Sequence, residues 1–259
     1  MNSRDKEPSR KMTKPSEPIP DPVEAAGDAV FRRPLTTVDV VILTIRAGSL
    51  QVLLVQRPQQ AGEPFPGRWA LPGGFVDVAR DRDLQACALR KLAEKTGVDS
   101  PYLEQVGSWG SATRDPRGWS TTHVYVALLP DETLALQKGG NAADLRWAPV
   151  EGEGVAMPLA FDHAVLLGAA LHRVRGKTEY TSLPAHLLPS AFTLGELQHV
   201  YELVLGRSLE KKAFRTRMLA GGMLEDLGAQ KETGRRPALL YRLREQAGLV
   251  YFTRSFEQR

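Results

Sequence analysis

Beyond Pro34 the apolar positions fall first into short β-branched runs and later into helical stripes. Residues 38–45 and 50–56 are nearly continuous in Val, Ile and Leu and are joined by Ala47, Gly48 and Ser49, which predicts two strands and a turn. Further strands are predicted over 102–106, 123–129 and 145–148. Between them, residues 84–96 place Leu89, Leu92, Ala93 and Thr96 on one side of a helix, and Gly97 stands where a helix end favours a left-handed residue. A second long helix is predicted over 162–175, opened by Asp162, closed by Gly176 and apolar round most of its circumference, so that it should be buried between two domains. Three shorter elements follow. A helix over 194–205 carries Leu194, Leu197, Val200, Tyr201, Val204 and Leu205 on one face, a helix over 208–220 ends in Gly221 and Gly222, and a β-ribbon turns around Thr233 and Gly234. The pieces of the first part make a mixed α/β sheet with a long helix packed on it.

A chain of 259 residues exceeds the usual size of one domain. Residues 1–33 hold five of the 18 prolines, many charges and almost no large apolar side chain before Val30, so a disordered tail is expected there. The apolar run at 38–45 contains Asp39 and falls far short of the roughly 20 residues that span a bilayer. No membrane span is expected, and the N-terminus has no apolar core of the kind a secretory signal needs. Cys87 is the single cysteine, so no internal disulfide can form, which fits a reducing cytoplasm. Charge is uneven: residues 207–259 hold twelve Lys and Arg against six Asp and Glu, although the whole chain carries only +4. A basic excess confined to one end points to a polyanionic partner there, with a merely solvated basic surface as the alternative.

The run Trp69-Ala70-Leu71-Pro72-Gly73-Gly74-Phe75-Val76, followed by Arg90, Leu92, Glu94, Thr96, Gly97 and Val98, resembles the signature of the Nudix hydrolases, and the resemblance extends over about residues 36–150. It implies the Nudix fold, a mixed sheet with a Nudix helix. In active members a loop and helix project several carboxylates into one site, where Mg²⁺ or Mn²⁺ bridges a diphosphate and activates water. Here Lys91 occupies the position of the Glu after the Arg, Lys95 that of the last Glu, and Arg80 or Arg82 that of the first, in a loop two residues longer than the pattern. Lys91 and Lys95 are four apart and share a helical face, so the site should repel a divalent cation. No metal, no cofactor and no catalytic residue is expected. Arg90 and Glu94 remain able to pair as surface-helix ions, while Asp77, Asp81 and Asp83 are the residues that could supply substitute ligands. An active hydrolase of ADP-ribose or a related nucleoside diphosphate derivative is the alternative reading.

Residues 113–119, Thr-Arg-Asp-Pro-Arg-Gly-Trp, resemble a segment common in Nudix proteins that recognise ADP-ribose. Two guanidiniums flanking a Pro-Gly turn suit bidentate phosphate contacts, and an aromatic beside them can stack on a base or ribose. Arg114, Arg117 and Trp119, together with Lys91 and Lys95 and with Arg57 and Arg68 at the pocket flank, form the expected ligand-binding set. An exposed charged loop is the plainer reading of the segment.

In the last part, the helix over 208–220 carries Lys211, Lys212, Arg215 and Arg217 around apolar Phe214, Met218 and Leu219, with Lys212, Thr216 and Arg217 expected to point outward. Lys231, Arg235 and Arg236 sit on the turn of the following ribbon. Two short helices with a basic second one suit entry into the major groove, and the ribbon makes a wing that reaches the backbone; these eight residues are the expected DNA contacts. Leu159-Ala160-Phe161-Asp162-His163 and the segment from Leu187 to Gln198 resemble the Nudix-related repressors of NAD metabolism, in which a degenerate Nudix domain precedes a winged helix-turn-helix domain. That resemblance covers residues 36–245 and implies a homodimer, a palindromic double-stranded DNA operator near NAD-related genes, and ADP-ribose, NAD or ATP as effector. The expected organisation is a tail over 1–33, a Nudix-like effector domain over 34–158, a connecting helix and linker over 159–180, and a winged-helix domain over 181–259. An RNA-binding module is disfavoured, because no aromatics interleave the basic residues as single-strand stacking requires.

Overall fold

The computed structural model describes residues 33–98, 102–134, 143–232, 234, 236–244, 249–253 and 256. Residues 1–32 of the expected tail, and Thr233 and Arg235 of the expected wing, lie outside them. From Pro34 onward the chain forms one compact unit. Strand β1 (Leu35–Arg46) turns back into β2 (Ser49–Gln56) through Ala47 and Gly48, both at positive φ (48° and 72°), with Arg46 paired to Ser49. Two left-handed residues in a two-residue loop match the twist of the flanking strands. Two very short strands, β3 (Trp69–Ala70) and β4 (Gly73–Phe75), lead to helix α1 (Leu84–Thr96). The Asp83 carboxylate accepts from the Ala86 amide at its start, and Gly97 closes it at φ 70°, as the sequence predicts.

Strands β5 (Tyr102–Ser111), β6 (Ser120–Leu128) and β7 (Asp144–Pro149) complete a seven-stranded sheet with the path β3-β2-β1-β6-β5, β4 lying beside β1 and β7 beside β2. β1 and β6 run parallel, and the other pairings are antiparallel. β1 is central and covered on both faces, which is why its sequence reads as a continuous apolar run. Val38, Val40 and Ile42 pack on Cys87, Ala88 and Leu92 of α1. Val41 and Leu43, with Val124, Val126 and Leu128, turn to the other face.

That second face is covered by α2 (His163–Thr178) through Leu166, Leu167, Ala170, Leu171 and Val174. The helix passes through Gly176, which the sequence places at its end. Gly176 is not at positive φ, so it costs only about 1 kcal/mol in propensity, while buried Val174 and Thr178 carry the packed stripe onward. Asp162 stands at the N-cap position without making a cap hydrogen bond; its carboxylate is used elsewhere.

A 3-10 turn (Leu183–Leu187) leads to β8 (Phe192–Thr193) and α3 (Leu194–Leu205), which opens on a reciprocal cap: Thr193 Oγ1 accepts from the Glu196 amide, and Glu196 accepts from the Thr193 amide. Helix α4 (Lys211–Ala220) begins after Glu210, whose carboxylate accepts from the Lys212 and Ala213 amides, so it starts later than the sequence predicts. Strands β9 (Leu224–Lys231) and β10 (Ala238–Leu243) join β8 in a three-stranded sheet with the order β8-β10-β9. Two helices followed by a ribbon make a winged helix. Its core residues Leu197, Tyr201, Phe214, Met218 and Tyr241 belong to the same apolar cluster as α2 and the second face of the large sheet.

The last described segment folds back along the end of α2. Ser182 donates to the Val250 carbonyl (2.9 Å), Phe252 to Tyr180 (2.7 Å) and Phe256 to Glu179 (3.0 Å). The guanidinium of Arg217 lies 3.9 Å from the Phe256 ring centroid. Arg217, expected to point outward, therefore packs inward: it is one helical turn from Phe214 and falls on the flank of the buried stripe.

Candidate functional site

A cavity of about 730 Å³ lies between α1, the β1–β4 edge, the loop after β5 and the start of α2. Gly73 is obligatory in its wall, because a Cβ there would run into the Asp39 carboxylate and come within 2.6 Å of the Val38 carbonyl. At Gly74 a Cβ would stand 3.1 Å from both Cε and Nζ of Lys91, so this lysine lies along the glycine backbone. Lys95 lines the same cavity and is largely buried, which pushes its ammonium below the ordinary lysine value.

Arg90 does more than pair with Glu94 on the surface. Its Nε and Nη2 donate to the two oxygens of Asp81 at 2.6 and 2.5 Å, and Glu94 adds an outer contact at 3.1 Å. Asp81 is buried, and the hydrogen bonds from Arg90 hold its carboxyl far below the usual carboxylate range. Asp83 is used as the helix cap. Of the three aspartates that could replace the lost ligands, Asp81 is held by Arg90 and Asp83 caps α1, while Asp77 lines the cavity and its Oδ1 accepts from the Ala79 amide. With Lys91 and Lys95 on the helix face and, among the described residues, no three His, Cys, Asp or Glu gathered together, this donor set does not fit the divalent ion of active Nudix enzymes. Cys87, beneath this pair, is buried, and burial pushes its thiol up to about 12.

Across the cavity, Arg114 donates Nε and Nη2 to Asp162, both at 2.9 Å, and its Nη2 lies 3.8 Å from Asp39. Asp39 also accepts from Thr122 Oγ1 at 2.7 Å. His163 Nδ1 accepts from the Leu71 amide (2.9 Å), so the neutral ring carries its proton on Nε2, 3.7 Å from Asp39. The five side chains tie β1, β6, the loop after β5 and the start of α2 into one largely buried network. Arg57 donates to Glu63 and to the Pro64 carbonyl, both at 2.6 Å, and lies 4.9 Å from the Phe161 centroid; burial lowers its pKa. Arg117 is clasped by Asp115 at 3.0 and 2.7 Å.

Arg57, Lys91, Lys95, Arg114 and Arg117 of the expected ligand set line one cavity; Arg68 and Trp119 do not. Arg68 is exposed beside the Phe65 turn. The ring edge of Trp119 lies across Gly110 of the neighbouring strand, with half its surface in solvent. Phe75 and Phe161 are the aromatics in the lining instead, and Asp39 and His163 complete it. The sequence carried two signals for these, the run from Trp69 to Val76 for Phe75 and the run from Leu159 to His163 for Phe161 and His163.

Burial lowers the pKa of His163, and of His186 near Tyr102. Both rings stay neutral in the folded chain at a pH where they would charge when unfolded. Their contribution to stability is complete above the unfolded value of about 6.5 and is lost as pH falls from there toward the folded values. The urea midpoint should drop between pH 7.5 and 5.5, and His163→Asn, which keeps an acceptor for Leu71, should flatten the curve. An unchanged slope in that variant would assign the pH dependence to other groups.

On the winged helix, Lys211, Lys212, Arg215 and Thr216 are exposed along α4, and Arg236 is exposed on the wing. Lys231 is engaged: its Nζ lies 2.7 Å from Glu196. An exposed pair of this kind is worth little and yields readily to a phosphate. No helix among the described residues is long and apolar enough to cross a membrane.

A Nudix sheet-and-helix unit with a winged helix built on its second face is a distinct class of protein. Residues 35–167 match the NUDIX domain, and residues 184–243 match the NrtR DNA-binding winged helix domain. The chain is 49% identical over 227 residues to the ADPR responsive transcriptional repressor NtrR of Acinetobacter baylyi, covering 88% of this chain and 89% of that one. The crystal structure of Shewanella oneidensis NrtR is similar at 42% identity and a TM-score of 0.77, covering 85% of this chain and 99% of that one. The same protein complexed with a 27mer DNA gives the same identity and TM-score, covering 85% and 98%. The chain belongs to the NrtR-type family of Nudix-linked winged-helix transcriptional regulators.

Proposed function

We propose that the protein is an operator-binding repressor of NAD-related genes whose Nudix cavity senses an adenine nucleotide such as ADP-ribose and does not hydrolyse it. One observation carries this reading: Lys91 and Lys95 line the cavity at the positions where metal-binding carboxylates belong. Ammonium groups attract a diphosphate but generate no hydroxide nucleophile. A ligand so held persists, and occupancy reports its concentration. Phe161, Asp162 and His163 then connect the cavity to α2, which shares its apolar core with the reader domain. The relative from Acinetobacter is ADPR-responsive, and the relative from Shewanella has been crystallised with DNA, which supports both halves of the reading. In a homodimer, two copies of α4 would address half-sites about one helical turn apart.

The test is a gel-shift titration against DNA from the protein's own genomic neighbourhood, with and without ADP-ribose, NAD and ATP and without added metal. The effective nucleotide should change operator affinity by about 5- to 150-fold in the wild type, the range of a coupling of about 1–3 kcal/mol. Lys91→Glu with Lys95→Glu should abolish that response while operator binding by the free protein persists. In the same titrations Lys212→Ala should weaken binding and lower the salt slope by about one unit. A full nucleotide response in the double variant would mean that another pocket controls DNA, and release of AMP over many turnovers would restore the hydrolase reading.

A further inference from the structure

We infer that Asp162 is a two-position switch between the cavity and α2: in the free protein its carboxylate holds Arg114, and when a phosphate of the ligand takes Arg114 it turns to cap the helix. This rests on the nucleotide-sensing function proposed above and names the element that carries occupancy toward the DNA reader. Helices α1, α3 and α4 each open on a side chain that caps them, and all three capping residues have extended backbone: Asp83 at ψ 173°, Thr193 at ψ 158° and Glu210 at ψ 121°. Asp162 holds the same position in α2, yet it stands at ψ 16° and its side chain makes no cap hydrogen bond. Aspartate is among the best capping residues, so a cap left unmade here implies a competitor for the carboxylate. Arg114 is that competitor, donating Nε and Nη2 to the two oxygens of Asp162 at 2.9 Å each.

The two uses of Asp162 exclude each other. A guanidinium fork that grips a carboxylate grips a phosphate in the same bidentate way, so a ligand in the cavity that Arg114 lines competes for the donors Asp162 now occupies. Arg114 stays anchored through the exchange, with Nη1 3.3 Å from Ser120 Oγ and Nη2 3.8 Å from Asp39. Once released, the carboxylate can accept from the amides of Ala164 or Val165 only if Asp162 becomes extended; at present the Val165 amide bonds to the Asp162 carbonyl at 2.9 Å. Phe161, the residue before it, is at φ 54°, a left-handed conformation in which a bulky side chain is strained, and strain of this kind gathers at switch segments. A changed entry into α2 reaches Leu166, Leu167 and Leu171, which share one apolar cluster with Leu197 and Tyr201 of the reader. Two discrete positions that the ligand distinguishes are what a population shift requires.

Asp162→Asn, Asp162→Ser and Asp162→Ala all remove the charge that holds Arg114, but only Asn and Ser can cap a helix. Isothermal titration with ADP-ribose, gel-shift titration with DNA from the protein's own genomic neighbourhood and hydrogen exchange at the start of α2 tell them apart. All three variants should bind ADP-ribose about three- to tenfold more tightly than wild type, because no carboxylate competes for Arg114. Without nucleotide, the Asn and Ser variants should already show most of the change in operator affinity that ADP-ribose causes in the wild type. The Ala variant should stay within about twofold of the free wild type, with ADP-ribose or without it, since it cannot complete the cap. Binding of ADP-ribose should protect the Ala164 and Val165 amides in the wild type and leave them unprotected in the Ala variant. A full nucleotide response in the Ala variant, Asn and Ser variants that behave like Ala in every reading, or weaker ADP-ribose binding by the Asn variant would overturn the switch while leaving the sensing function in place. Wild-type protein whose operator affinity ADP-ribose does not change would remove both.

Discussion

Arg114→Ala should lower the free energy of unfolding by about 3–5 kcal/mol, read from urea denaturation at neutral pH, because it removes the guanidinium shared by buried Asp39 and partly buried Asp162. Arg114 is only 6% exposed; it donates twice to Asp162 and lies beside Asp39, which is 8% exposed. With the guanidinium gone, Asp39 keeps Thr122 and the neighbouring His163 ring, and Asp162 loses its charged partner. Adding Asp162→Asn to the variant should recover part of the loss, since the second change then removes a charge that is already unpaired. A loss below about 1 kcal/mol, the range of surface pairs, would show that water reaches this network freely.

Phe214→Ala in the reader domain should cost a similar amount, about 3–5 kcal/mol, from lost burial and the cavity left behind. Its ring is 1% exposed and meets Tyr201 edge-on at 5.2 Å. All four tryptophans, Trp69, Trp109, Trp119 and Trp147, lie in the Nudix part of the chain. Because one apolar cluster runs from Val41 through Leu171 to Phe214, their fluorescence should shift to the same lower midpoint as the far-ultraviolet ellipticity. A tryptophan transition left at the wild-type midpoint would show that the two parts unfold separately.

The elements that the sequence made legible are those with local punctuation. Helix α1 lies between Asp83 and Gly97, and α3 between the Thr193–Glu196 cap and Gly206, so their limits are written beside them. The strands β3 and β4 have no such signal, because two or three residues are extended there only through pairing with β2 and β1. The end of α2 misled for a related reason: a glycine stops a helix only where the backbone turns left-handed, and at Gly176 packing keeps it helical. In the cavity, Lys91 and Lys95 were readable because they stand at fixed positions in a known pattern. Asp39, Phe75 and His163 come from distant parts of the chain and meet only in the fold. Trp119 drew attention as the aromatic beside two arginines, yet it stands just before β6 with its ring edge across Gly110 of β5, outside the cavity lining.

The shared core also bears on how such regulators can be recombined. A winged helix that hung from a flexible linker could be exchanged for another with a different operator preference. Here a cut near residue 180 would separate Leu183, Leu187, Leu197 and Tyr201 from the α2 side chains they are clustered with, and would part Phe252 and Phe256 from Tyr180 and Glu179. A chimaera should therefore keep its activity only when α2 travels with the reader and the sheet face that receives it is preserved.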